Sequence, residues 1–138
     1  MTDHVDATLK LWRTTPFTWG GVVPHIEGWG DCLLSVGEHM ARYGSPDLTG
    51  EYRGRYSDEA GAMALVRAAG GVSALIDRMG WRPTTIPLRG DVVVIAVAEG
   101  VEVGGICTGA GIACRLERGA VELGFRFVHI VKVWSCPR

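Results

Sequence analysis

The hydrophobic period of the chain changes at Arg89, and that change restricts the fold more than any other feature of its 138 residues. Before Arg89, apolar residues recur every three or four positions, the spacing of one helix face. After it, Val92-Val93-Val94-Ile95-Ala96-Val97 is a β-branched run of the kind found in buried strands. Gly90-Asp91 signals a turn before the run and Glu99-Gly100 a tight turn after it. Four more strands are predicted: Val101 to Thr108, Ile112 to Leu116, Ala120 to Phe125 and His129 to Trp134. Gly109-Ala110-Gly111 and Glu117-Arg118-Gly119 fill two of the gaps. Connections this short force antiparallel neighbours. Helices followed by a five-stranded antiparallel meander make an α+β chain, read as one domain over residues 1–138.

The first helix is capped by Asp3 and runs to about Trp12, with Val5, Leu9 and Trp12 on one face. Thr14-Thr15-Pro16 stops it. An irregular loop follows, carrying Phe17, Trp19 and Trp29; aromatics in a loop pack it onto the body or line a cleft wall. Asp31 caps the next helix, which has Leu33, Gly37 and Met40 at helical spacing and a stop at Gly44-Ser45-Pro46. Ser57 reads as the cap of a third helix, with Asp58 and Glu59 favoured in its first turn by the dipole. Val72 to Met79 is a short fourth helix. Trp81 to Leu88 holds Pro83 and Pro87 and reads as an extended connector.

Composition excludes several classes. Hydrophobic residues make up 47% and charged residues 21%, so the chain is globular and not disordered. A net charge of -1 with no basic stripe argues against nucleic-acid binding. No run is long enough to span a membrane, and Met1 to Lys10 lacks the apolar core of a signal peptide. Cys32, Cys107, Cys114 and Cys136 form no CxxC pair, so neither a structural zinc nor any other metal site is expected. Reduced thiols are the default without a signal peptide, and Cys107 and Cys114 read as a core pair. Gly104-Gly105 and Gly109-Ala110-Gly111 precede no helix, so they cradle no phosphate, and no cofactor is expected. Asp91 reads as a turn residue. Tyr52 and Tyr56, with the arginines beside them, read as an interface or as a solvated loop.

Cys32 opens the second helix. The positive end of the helix dipole favours thiolate there, and the neighbouring Asp31 opposes it. A cysteine so placed is either a nucleophile or a small core hydrophobe.

The order Pro16-Phe17-Thr18-Trp19-Gly20-Gly21, Asp31-Cys32, then Gly90-Asp91-Val92-Val93-Val94 resembles the NlpC-type papain-fold cell-wall peptidases. In that family an aromatic-Trp-Gly-Gly stretch precedes an Asp-Cys helix start, and a Gly-Asp opens a hydrophobic strand. A strand reading His-Val-Gly-Ile follows, and here that segment is Val103-Gly104-Gly105-Ile106-Cys107-Thr108-Gly109. The resemblance spans nearly the whole chain. It implies a papain-like fold with helices packed on the sheet, and Cys32 as the nucleophile position. It also puts Val103 where the family has its catalytic histidine. Valine cannot take a proton from a thiol or return one to a leaving amine. A slip of one residue brings Glu102 there but turns the side chain to the other face of the sheet.

Two other histidines are candidate bases. His129 lies on the last strand; papain-like folds take their third, orienting polar group from a strand beyond the histidine strand. Its alternative is an exposed strand-edge histidine. His25 precedes Cys32 in the loop and reaches it if the loop folds back; its alternative is an ordinary loop histidine. His39 is two turns along the helix from Cys32, about 10 Å away, and cannot touch it. The chain is also similar to short phage and prophage proteins associated with tail-tip modules. That similarity implies a structural or assembly component of the virion tail. Its partners would be other tail-tip proteins, with peptidoglycan as a further possibility. The competing expectation is an active cysteine peptidase or amidase cutting peptidoglycan peptides.

Overall fold

The computed structural model describes residues 3–138; Met1 and Thr2 lie outside the described residues. Helix α1 spans His4–Thr14, and Asp3 caps it by accepting from the amides of Val5 and Asp6. Its buried positions are Val5, Thr8, Leu9 and Trp12, one stripe at helical spacing. Helix α2, Cys32–Ala41, buries Leu34, Ser35, Val36, Gly37, His39 and Met40. A helix buried on so much of its surface is central, and the other elements pack around it. Gly37 is required there, because a Cβ on it would lie 2.4 Å from Cγ2 of Thr49 in the short 3-10 turn Leu48–Glu51. Helix α3, Glu59–Ala68, is capped by Asp58, whose carboxylate accepts from Gly61, and not by Ser57. Helix α4, Val72–Asp77, is shorter than the periodicity predicts.

The sheet has six strands, not five. They are β1 (Arg82–Thr84), β2 (Val92–Ala98), β3 (Val101–Cys107), β4 (Gly111–Leu116), β5 (Gly119–Gly124) and β6 (His129–Ser135). All pairings are antiparallel, and the spatial order is β1-β6-β2-β3-β4-β5. The extra strand falls in the stretch read as a connector. Three residues are too few to show a period, and Pro83 is tolerated because β1 is an edge. The fifth strand ends at Gly124, and Phe125–Phe127 form a 3-10 turn.

Alternation along the strands builds two cores. Val92 and Val94 of β2, Ile106 of β3 and Trp134 of β6 face the helices, where they meet Val5, Leu9, Val36, Met40 and Ile76. Val93, Ile95, Cys107, Ile112, Cys114 and Val133 face the other way and form a core from strand residues alone. Trp134 also donates from its indole nitrogen to Asp77 at 2.8 Å, tying β6 to α4. All four cysteines are free thiols, and Cys107 and Cys114 belong to the same core.

Asp91 is more than a turn residue. It is fully buried, and its carboxylate accepts from Leu88 N at 2.8 Å, Cys136 N at 2.9 Å and the Arg138 guanidinium at 2.9 Å. The C-terminal segment is thereby fixed to the start of β2. Asp91→Ala strands those donors and is expected to lower stability by about 2–4 kcal/mol. Urea unfolding should show a lower midpoint at unchanged m.

Candidate functional site

Asp31 organises the neighbourhood of Cys32. Its side chain is buried and accepts from Leu33 N and Leu34 N, both at 3.0 Å, as the cap of α2. Its second oxygen accepts from Gly20 N at 3.0 Å and from the Tyr56 hydroxyl at 2.5 Å. Trp19-Gly20-Gly21 is thus a loop folded onto the head of α2. Gly20 has φ +77°, and a Cβ on it would fall 1.9 Å from the Tyr56 carbonyl oxygen, so no other residue fits. Phe17 and Trp19 stack edge to face at 4.9 Å, and Phe17 bridges to Gly30. The aromatics of this loop pack it down.

Cys32 is the first residue of α2 and is partly buried. Burial, and then the Asp31 charge, push its thiol up to about 12. The first-turn amides pull the other way and are outweighed. The opposition between dipole and carboxylate that the sequence leaves open is resolved in favour of the neutral thiol.

Three of the histidines are engaged elsewhere. His25 Nε2 lies 3.0 Å from Glu38 Oε1, six residues along α2 from Cys32, which is about 9 Å of helix. Glu38 also takes the Arg53 guanidinium and the Gly28 amide at 3.1 Å, so His25 belongs to a network that straps the loop to the middle of α2. His39 is fully buried. It lies 2.9 Å from the Gly90 carbonyl oxygen through Nε2 and 2.7 Å from the Thr8 hydroxyl through Nδ1. The carbonyl can only accept, so Nε2 carries the proton and Thr8 donates to Nδ1. His4 stacks on Tyr43 at 4.5 Å. His129 is exposed on β6, opposite Ala96 of β2. Ala96 is in turn opposite Glu102 of β3, so His129, Ala96 and Glu102 form one row across the sheet.

The faces of β3 settle which side chains look toward α2. A Cβ on Gly104 would lie 3.3 Å from Val36 Cγ2, so Gly104 faces the helix. Val103, its neighbour, packs against the strand-only core on the far side. Glu102 shares the helix face with Gly104. The C-terminal half of α2 sits at the end of β3, because His39 holds Gly90 O while Gly90 N donates to Cys107 O. The head of α2, with Cys32, therefore points to the start of β3, where Glu102 lies.

Arg115 is the residue that sequence reasoning missed. It is buried on β4, and its guanidinium donates to Gly28 O, Ser35 Oγ at 3.1 Å, Thr15 O at 2.8 Å and Thr15 Oγ1 at 3.1 Å. Ser35 is one turn from Cys32. Nε of Arg115 is buried without a partner, and burial lowers the pKa of the group. The only signal in the sequence was a single arginine in an otherwise apolar strand.

The apolar groove between α2, the Leu48–Glu51 turn and α4 has a volume of about 50 Å³. Small-molecule sites usually need roughly 300 Å³ or more. Among the described residues no group of three or more His, Cys, Asp or Glu side chains could hold a metal, and no helix is long and apolar enough to cross a membrane.

These features define an α+β protein in which a capped, cysteine-headed helix packs on an antiparallel sheet. The chain belongs to the family described as a domain of unknown function, DUF6950, whose model matches residues 1–136. No curated protein and no solved structure matches it.

Two outcomes follow from the titrating groups. Only about one Cys32 thiol in ten thousand is ionised at pH 8 if its pKa is about 12. Iodoacetamide should therefore alkylate Cys32 in the folded protein roughly 100-fold or more slower than a free cysteine, with the site read by peptide mass mapping. For His39, burial lowers the pKa from 6.5 to about 4. The unfolded chain takes up that proton first, so the stabilising contribution is complete above pH 6.5 and is lost as the pH falls through about 4. The unfolding free energy from urea titrations should fall across that window by on the order of 3 kcal/mol, and the fall should flatten in His39→Gln.

Proposed function

We propose that this chain is a degenerate NlpC-like, papain-type scaffold that serves as a structural or assembly component of a phage or phage-like tail tip. The tail assignment rests on the similarity of the chain, including its Gly105-Ile106-Cys107 strand and its terminal Val133-Trp134, to short phage and prophage proteins associated with tail-tip modules. Its partners are other tail-tip proteins, and its place is the virion tail after synthesis in the host cytoplasm.

The loss of hydrolysis rests on one observation, the state of Cys32. An acyl-transfer nucleophile needs a depressed pKa or a base within hydrogen-bond reach. Here the thiol is raised to about 12, and His25 and His39 hold other partners. Burial opposes ionisation of the thiol most, and the Asp31 carboxylate that adds to it is the cap of α2. The competing reading, a cysteine peptidase or amidase using His129 or His25 as base, would need one of those rings brought to the sulfur.

The test is product analysis of peptidoglycan fragments incubated with the folded protein and with Cys32→Ala. Neither should release a new product. Cleavage by the wild type that vanishes in Cys32→Ala would overturn the non-hydrolytic reading. Mass spectrometry of purified tail particles tests the tail assignment, and absence of the chain from both mature and assembling tails would reject it.

A further inference from the structure

The two edges of the sheet are built differently. At one edge, β1 is three residues long and contains Arg82 and Pro83. Short length, a charge and a proline are the usual means of blunting an edge against pairing. At the other edge, β5 is Gly119–Gly124 and pairs with β4 without a register shift from Leu116↔Gly119 to Gly111↔Gly124. It has no proline, no lysine and no bulge. Its one charge, Glu122, accepts from the Thr108 hydroxyl at 2.6 Å on the helix face. Among the described residues, β4 is the only strand that pairs with β5, and no loop or side chain bonds to its outward backbone groups. Val121 and the adjacent Leu116 are exposed apolar residues on the same face beside this edge.

We propose that β5 is a dimerisation edge, pairing antiparallel with β5 of a second copy so that two six-stranded sheets become one. The pleat restricts the register. A two-fold axis perpendicular to the sheet keeps each face on its own side, so paired residues must have the same parity. Centring on Glu122 would set two carboxylates opposite each other, which is destabilising. Centring on Val121 sets valine opposite valine, Ala120 opposite Glu122 of the second copy, and Gly119 opposite Leu123. In that register Arg118, exposed in the turn that opens β5, falls diagonal to Glu122 of the other copy. Diagonal neighbours are about 7–8 Å apart at Cα, within reach of a long side chain. The symmetry repeats this opposite-charge pair, so the strand is complementary to itself in charge as well as in backbone.

The experiment is sedimentation equilibrium of the full chain, with circular dichroism to confirm folding of each variant. Wild type should be dimeric at about 50 µM, as expected for a modest interface. Val121→Lys sets like charges opposite each other at the centre and should give a folded monomer. Arg118→Glu should weaken the dimer roughly tenfold, and Arg118→Glu with Glu122→Arg should recover most of that loss. The swap decides the matter if Val121→Lys fails to fold. Monomeric wild type at about 200 µM would overturn the proposal and leave the edge to a strand from another protein. A dimer indifferent to Val121→Lys and Arg118→Glu would overturn it as well, placing the contact elsewhere.

Discussion

The buried carboxylate of Asp31 is the interaction on which the arrangement around α2 depends. It terminates three segments distant in sequence: the amide of Gly20, the first amides of α2 and the hydroxyl of Tyr56. A buried carboxylate is tolerable only when its lone pairs are filled, and here four donors fill them. The same charge, one residue from Cys32, opposes ionisation of the thiol. Burial of the thiol, the larger cause, acts in the same direction. A head of α2 packed this tightly is well suited to hold a loop in place and poorly suited to generate a thiolate. The charge that makes the cap strong opposes the thiolate, and burial adds to that opposition.

The loop is fastened a second time from below. Arg115 reaches from β4 to the carbonyl oxygens of Thr15 and Gly28, while Glu38 on α2 holds Gly28 N, His25 and Arg53. Between Thr15 and Gly30, then, the loop is bound by a guanidinium, a carboxylate and a cap. Removing His25 from Glu38 to serve Cys32 would break part of that strap, and this is why the loop histidine does not behave as a free side chain near the thiol. His39 is equally committed, since its two nitrogens join α1 to the turn before β2 through Thr8 and Gly90. His25 and His39 are thus employed in holding the loop to α2 and α1 to the start of β2.

Local signals in the sequence translated well. The β-branched run at Val92 became β2, and the caps Asp3 and Asp31 start α1 and α2. Those features depend on a few adjacent residues. What stayed hidden depends on distant partners. The strand β1 exists because Arg82–Thr84 finds β6 some fifty residues later, and nothing in three residues announces that. Asp91 looks like a turn residue until the chain returns at Cys136 and Arg138. Arg115 is unreadable for the same reason, because its acceptors are about a hundred residues away in sequence. Ser57 and Asp58 are equivalent on paper as caps, and only the backbone entry into α3 selects Asp58.

The alignment of Val103 with a catalytic histidine is the most instructive case, since it turns on parity. Sequence alone leaves two registers, and they differ in which residues face the helix. Gly104 chooses between them: the close approach of Val36 needs a position without a Cβ, and only one face of β3 meets that need beneath α2. Once Gly104 faces the helix, Val103 must face the strand-only core, against which it packs partly buried. Glu102 then occupies the helix face at the end of β3 nearest the head of α2. At Cys32 itself burial acts first and the Asp31 charge second, and both keep the thiol neutral.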